Sequence, residues 1–243
     1  MSWSVKKKLQ SLLAQEDGTI RKDWGGKIAI ALVYPNTYSV GMSNLGFQTM
    51  YWHLNQLPDV VCERVFMPDP ADADELRRSG TPPVSLESLR PLSAFHIVGF
   101  SVTYEGDYIN VLRLLLLAGI PLRPRDRRPE DPLVTMGGVC AFSNPEPIAP
   151  FMDFIAVGEG EEMVRDLITA YRDGYRDREG FLDLLMALDG IYVPDRYEVR
   201  YGADGTIADV SPRGGARAIV TKRRLRDVNR FETISLVKTP NAE

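Results

Sequence analysis

Residues 27–46 read KIAIALVYPNTYSVGMSNLG. The first eight residues are an apolar run of the length and composition of a strand buried on both faces. A loop punctuated by Pro, Asn, Ser and Gly follows, and then the periodic segment FQTMYWHLNQL, whose start Ser43 or Asn44 can cap. Strand, Gly-bearing loop and helix in that order are the opening of an α/β unit, and in such units ligands sit at the loop.

The same pattern recurs down the chain. Strands are predicted at 27–34, 60–67, 96–102, 133–138 and within 153–162. Helices are predicted at 45–57, 70–79, 86–94, 105–119 and 161–175, with Gly119 ending the fourth at a C′ position. Five repeats of strand and helix imply an α/β fold with an open parallel five-stranded sheet, right-handed crossovers and flavodoxin-like strand order. Residues 1–25 read as an N-terminal helical extension and 26–176 as the α/β domain. Residues 177–243 read as a connector with one more helix and a β-hairpin turning at Asp204-Gly205. The tail stops at TPNAE with no closing element, which predicts a boundary inside a longer protein.

Bulk composition excludes several classes. The 243 residues are 44% hydrophobic and 26% charged with net charge -4, ordinary globular values that give no global case for nucleic acid. No apolar run reaches the roughly 20 residues of a membrane span, and the N-terminal apolar stretch is too short for a signal peptide; the cytoplasm is the expected location. Two cysteines, Cys62 and Cys140, lie far apart, which excludes a disulfide scaffold and an internal zinc or iron–sulfur site. The two histidines, His53 and His96, are isolated and read as structural.

Four loops reach the carboxyl ends of the predicted strands: PNTYSVGMSNLG, SVTYEGD, GGVCAFSNPEP and GEGEE. They are rich in Gly, Ser, Thr and Asn, which admit a ligand to the backbone and supply neutral hydrogen bonds. General acid–base or nucleophilic chemistry has little to stand on, because no Ser sits in a nucleophile elbow with a matching His and acid. Glu159, Glu161 and Glu162 open a helix and read as partners of its dipole. A flavin or nucleotide at the same rim is a further reading, although no phosphate-binding Gly fingerprint is complete.

Laid out this way, the chain resembles a cobalamin-binding domain, and more closely the N-terminal half of radical SAM enzymes that carry such a domain before their catalytic barrel. The family pattern is D-x-H-x-x-G after strand one, S-x-L or S-x-T after strand three and Gly-Gly after strand four. Here Asn36-x-Tyr38-x-x-Gly41, Ser101-x-Thr103 and Gly137-Gly138 occupy those places, and Gly158 and Glu159 lie in a VGEGEE loop that recurs in these enzymes. The resemblance implies cobalamin as cofactor, with its nucleotide tail beside Gly41, Ser101 and Gly137. Tyr38 stands where the family's cobalt-binding His would be and Asn36 where its Asp would be, so it implies no imidazole from this protein on cobalt. It further implies that the 4Fe-4S cluster and S-adenosylmethionine belong to a barrel of the same polypeptide outside these residues, since no three-cysteine motif is present. An alternative is a structural or substrate-recognition domain that binds no cobalamin. The basic stretch KRRLRDVNR, residues 222–230, is its candidate contact for an RNA substrate.

Overall fold

The computed structural model describes residues 3–227, 229 and 231–242. In chain order its elements are α1 (Trp3–Ala14), β1 (Ile28–Tyr34), α2 (Tyr38–Met42), α3 (Leu45–Gln56), β2 (Val60–Phe66) and α4 (Pro70–Ser79). They continue with β3 (Ile97–Ser101), α5 (Tyr108–Leu117), β4 (Leu133–Gly137), α6 (Cys140–Ser143), β5 (Phe154–Ala156) and α7 (Gly160–Gly174). Last come α8 (Arg178–Leu185), β6 (Ile191–Tyr192), β7 (Tyr197–Tyr201) and β8 (Ile207–Pro212).

The sheet runs β2-β1-β3-β4-β5-β6, parallel from β2 to β5, so the expected flavodoxin-like order holds. A sixth strand, β6, adds to it antiparallel through Ile155–Tyr192 and Ala156–Ile191. At two residues β6 is too short to leave a period in the sequence. Residues 177–193 thus contribute both α8 and a sheet strand to the α/β unit. The hairpin β7–β8 forms its own two-stranded sheet with Gly205 in positive φ at its turn, as expected.

Strand alternation divides the interior into two cores. Ala29, Ala31 and Val33 face one side of β1, with Val98, Phe100, Val134, Met136 and the α5 residues Val111, Leu114 and Leu115. Ile30, Leu32 and Tyr34 face the other, with Phe47 and Tyr51 of α3, Met163 and Leu167 of α7 and Phe181 of α8. Both faces of every central strand are buried, so the strands read as continuous apolar runs rather than alternating ones. Asn44 caps α3 by accepting from Phe47 N at 2.9 Å. Gly119, at φ +69°, closes α5 with bonds to Leu116 and Ile120 to Leu115, the paired geometry of a left-handed cap.

Two local expectations change. The helix predicted at 86–94 is absent apart from a 3₁₀ turn at Leu92–Ala94. Instead Leu86 N donates to Arg64 O, Val84 bridges Pro91, and Leu89 turns the chain at φ 59°. Pro91 removes a donor from the interior of such a helix, and Glu87 is held by Arg64 at 2.7 Å. Secondly, the loop after β1 is not open coil, because its middle forms α2, in which Gly41 N donates to Thr37 O at 3.0 Å.

The N-terminal extension and the tail both close onto the body. Glu16 is buried against Arg64 at 2.6 Å and accepts from the Tyr38 hydroxyl. Asp17 and Lys238 form an antiparallel bridge, and Arg223 pairs parallel with Gly158. Met1 and Ser2 of the predicted N-terminal helix, and Val228 and Arg230 of the basic stretch, lie outside the described residues. No helix among the described residues is long and apolar enough to cross a membrane.

Candidate functional site at the carboxyl rim

Strand order reverses between β1 and β3, because β1 is followed in sequence by β2 on one side and the chain then crosses to β3 on the other. A crevice at such a point lies between the loops that leave the two strands. Here those loops are tied together. Asn36 Nδ2, after β1, donates to Asp107 Oδ1, after β3, at 3.0 Å. The Tyr34 hydroxyl, at the end of β1, shares a 3.0 Å hydrogen bond with Thr103 Oγ1. Asp107 is only 5% exposed and also accepts from Asn110 at 3.1 Å. Burial pushes its carboxyl above the usual range, and the two amide donors counter this.

Every residue of the family pattern can now be placed. Asn36 spends its amide on Asp107, and its Oδ1 accepts from Thr37 N at 2.8 Å. Tyr38 turns inward. Its hydroxyl donates to Glu16 Oε1 at 2.7 Å, its ring packs edge-on to Phe66 at 5.1 Å, and burial pushes the phenol pKa up. A phenol that keeps its proton and points at a carboxylate is no metal ligand. Gly41 is a glycine for packing: a Cβ there would lie 2.6 Å from Phe66 Cε1 and 3.1 Å from Tyr34.

Ser101 and Gly137 are register partners on β3 and β4. Gly138, at φ +96°, presses on the Val102 backbone, where a Cβ would meet the carbonyl oxygen at 2.5 Å. Gly137 alone of these glycines keeps ordinary room, its nearest neighbour being Ala156 Cβ at 3.8 Å. Asn36, Thr103 and Gly137 thus lie at or just after the carboxyl ends of β1, β3 and β4, each against a partner of its own. Tyr38 and Gly41 belong to the packing beneath the rim.

Gly158 and Glu159 have a different occupant. Gly158 sits at φ +127° because the Arg223 backbone lies directly against it, closer than any side chain would allow. Arg223 N donates to Val157 O at 2.9 Å, Glu159 N to Arg223 O at 3.1 Å, and Leu225 N to the Glu159 carboxylate. Glu159 therefore does more than face a helix dipole; it holds the tail. Arg223 of the basic stretch is paired with Asp166 at 2.6 Å and Glu162 at 3.5 Å, and Lys222 lies over the Phe142 ring at 3.7 Å.

A corrinoid does not fit the rim as these side chains are arranged. The family's metal-gripping place is filled by a protonated phenol, the space beside Gly41 by Phe66, and the gap between the β1 and β3 loops by two hydrogen bonds. The rim also exposes three large apolar side chains, Tyr104, Val139 and Phe142, after β3 and β4, at 68%, 51% and 40%, beside the exposed Glu105, Ser143 and Asn144. Sequence reasoning missed Asp107 and Glu16, the two carboxylates that decide the matter. Each lies outside the pattern positions, and only the fold brings them to Asn36 and Tyr38.

Comparison with known proteins supplies the family. Over 134 residues the chain is 26% identical to the uncharacterized protein MJ0966 of Methanocaldococcus jannaschii, a match covering 54% of this chain. The match spans about a quarter, 24%, of that relative's length. Among solved structures the chain is similar to the radical S-adenosylmethionine methyltransferase TsrM from Kitasatospora setae. With tryptophan and a SAM analogue bound, that structure aligns at TM-score 0.41 and 15% identity, covering 74% of this chain and 29% of the other. With cobalamin and a 4Fe-4S cluster bound it aligns at TM-score 0.43 and 15% identity, covering 81% and 30%. Residues 46–194, which run from the first turn of α3 to just past β6, match the family described as radical SAM proteins, N-terminal. This chain belongs to the N-terminal domain family of radical SAM proteins.

Proposed function

We propose that the chain is a cobalamin-binding-like accessory domain of a radical SAM enzyme, one that docks the catalytic part on its carboxyl rim and does not itself grip a corrinoid. The observation that carries this reading is the double link across the switch point, Asn36 to Asp107 and Tyr34 to Thr103. A ligand that enters between the loops breaks both links, and each leaves a part-buried polar group to be satisfied again, at up to about 1–3 kcal/mol where it is not. The exposed Tyr104, Val139 and Phe142 form an apolar lip suited to a protein surface, with aromatic rings of the kind enriched where proteins meet. The cluster and S-adenosylmethionine belong to another part of the polypeptide, because two distant cysteines cannot supply a three-cysteine motif.

Hydrogen exchange on this chain and on a longer protein carrying the catalytic part tests the docking. Amides of residues 103–106 and 138–143 are expected to exchange more slowly in the longer protein, with α4 and the β7–β8 hairpin unchanged. Equal exchange at the rim in both proteins would refute docking there.

A further inference from the structure

His96 closes both backbone groups of Ala29. Its own N–H donates to the Ala29 carbonyl at 2.9 Å, and its side chain folds back so that Nδ1 accepts from the Ala29 N–H at 2.9 Å. The chain ahead of β3 leaves the sheet in a 3₁₀ turn at Leu92–Ala94, so the first residues of β1 have no β3 neighbour. The imidazole stands in for the carbonyl that a longer β3 would have offered, and a buried N–H needs such an acceptor. Ala29 is wholly buried, whereas His96 itself is exposed. The bond also fixes the tautomer, because an Nδ1 that accepts carries no proton and the neutral ring is then protonated at Nε2. The titratable side chain facing the ring is Tyr171 of α7, 6.2 Å away between ring centres, whose own pKa burial pushes up to about 12. No acid or base among the described residues pairs with the ring from β1, β4 or α7.

We propose that His96 is a pH-sensitive latch at the amino end of the β1–β3 pair: the neutral ring holds the Ala29 N–H, and the protonated ring lets it go. The latch lies at the opposite end of the sheet from the carboxyl rim, so the inference goes beyond the docking reading and does not depend on it. A protonated Nδ1 has no lone pair to offer and sets one N–H against another. The latched ring therefore stays neutral, and burial likewise holds its pKa below the ordinary 6.5. With the latch open, the ring meets water and titrates near that ordinary value. A pKa that is lower in the latched state makes closure complete above about 6.5, and closure is lost as pH falls through the latched-state value. The loosening is local, because the bond from Ile28 N to Asp59 O, at 2.8 Å on the β2 side, has no titrating acceptor.

The chain has two histidines, so proton–nitrogen correlation spectra of the whole chain resolve the tautomer and titration of each. Neutral His96 is expected to show a bare Nδ1 and a protonated Nε2. Exchange of the Ala29 amide, corrected for its intrinsic pH dependence, is expected to accelerate up to about tenfold per pH unit as pH falls from about 6.5 to the His96 midpoint, and to level off below it. Amides of β3 and β4 keep their protection over that range. His96→Ala is expected to leave Ala29 exchanging fast with no such pH dependence. The proposal is overturned if neutral His96 carries its proton on Nδ1, if His96 titrates with no change at Ala29, or if it does not titrate before β3 and β4 open. Parent-like protection of Ala29 in His96→Ala would overturn it equally.

Discussion

Asn36 donates its side-chain amide to the buried carboxylate of Asp107, 3.0 Å away, and so joins the loop after β1 to the loop after β3. In the family pattern an acid stands at position 36. Here the acid is at 107, and residue 36 is its neutral donor. The polarity of the link therefore depends on Asn at this place. An acid at 36 would set two carboxylates face to face at the closed crevice.

Restoring the pattern should for that reason do harm. Asn36→Asp is expected to destabilise the protein at pH 7.5 by about 1.5–3 kcal/mol, the cost of one lost bond to a charged group. Like charges that close raise the pKa of at least one carboxyl in the folded state. The folded state then binds more protons than the unfolded one, so the deficit relative to the parent shrinks as pH falls through the raised value. Urea denaturation of parent and variant at pH 7.5 and 5.0 checks this. A deficit that grows on acidification would contradict it.

Asp107 itself carries a milder form of the same effect. Burial raises its pKa above the ordinary 3.8, so its contribution to stability improves as pH falls through the folded-state value. Asp107→Asn keeps an acceptor for Asn36 while removing the charge. It is expected to retain the parent's stability at neutral pH within about 1 kcal/mol and to flatten this part of the pH profile. Asp107→Ala, which abandons both amides, should cost more and speed exchange at residues 36–38.

A second buried carboxylate explains Tyr38. Arg64 lies between Glu16 at 2.6 Å and Glu87 at 2.7 Å, all three side chains almost wholly buried, and its guanidinium covers the Tyr51 ring at 4.6 Å. Arg64→Ala leaves two uncompensated carboxylates and should cost about 3–5 kcal/mol, whereas replacing all three by apolar residues of similar volume should cost far less. Tyr38→Phe should cost about 1.5–3 kcal/mol, the range for a hydrogen bond to a charged group. Chemical denaturation measures each; an Arg64→Ala protein as stable as the parent would remove the triad as the anchor of the N-terminal segment.

Gly158 is expected to tolerate no side chain while the tail is in place. Gly158→Val meets the Arg223 backbone and adds strain at φ +127°. Amides of Arg223 and Leu225 should lose protection in this variant, with Val98 and Val134 in the sheet unchanged. Retained protection at 223 and 225 would show that the tail has room to move aside.

The fold was legible because β1, β3 and β4 are buried on both faces, which writes each as an unbroken apolar run followed by a Gly-bearing loop. Strand order followed from the repeat of strand and helix. The two-residue β6 and the five-residue α2 were not legible, because neither is long enough to repeat its pattern, one strand period and less than two helical turns. The helix expected at 86–94 failed because apolar spacing there serves a proline-bounded segment laid beside β2. At the rim, the pattern positions Asn36, Thr103 and Gly137 fall at or just after the ends of β1, β3 and β4. Their partners, Asp107 and Tyr34, and the Glu16 that captures Tyr38, are matters of distance in space, on which sequence spacing is silent.

The most direct measurement is retention of hydroxocobalamin and, separately, methylcobalamin by the purified chain after desalting, read in the visible spectrum. A rim held shut by Asn36–Asp107 and Tyr34–Thr103 predicts a colourless protein fraction with both. A corrinoid spectrum that travels with the protein in stoichiometric amount would contradict it, and would mean that the crevice opens for the cofactor despite both links.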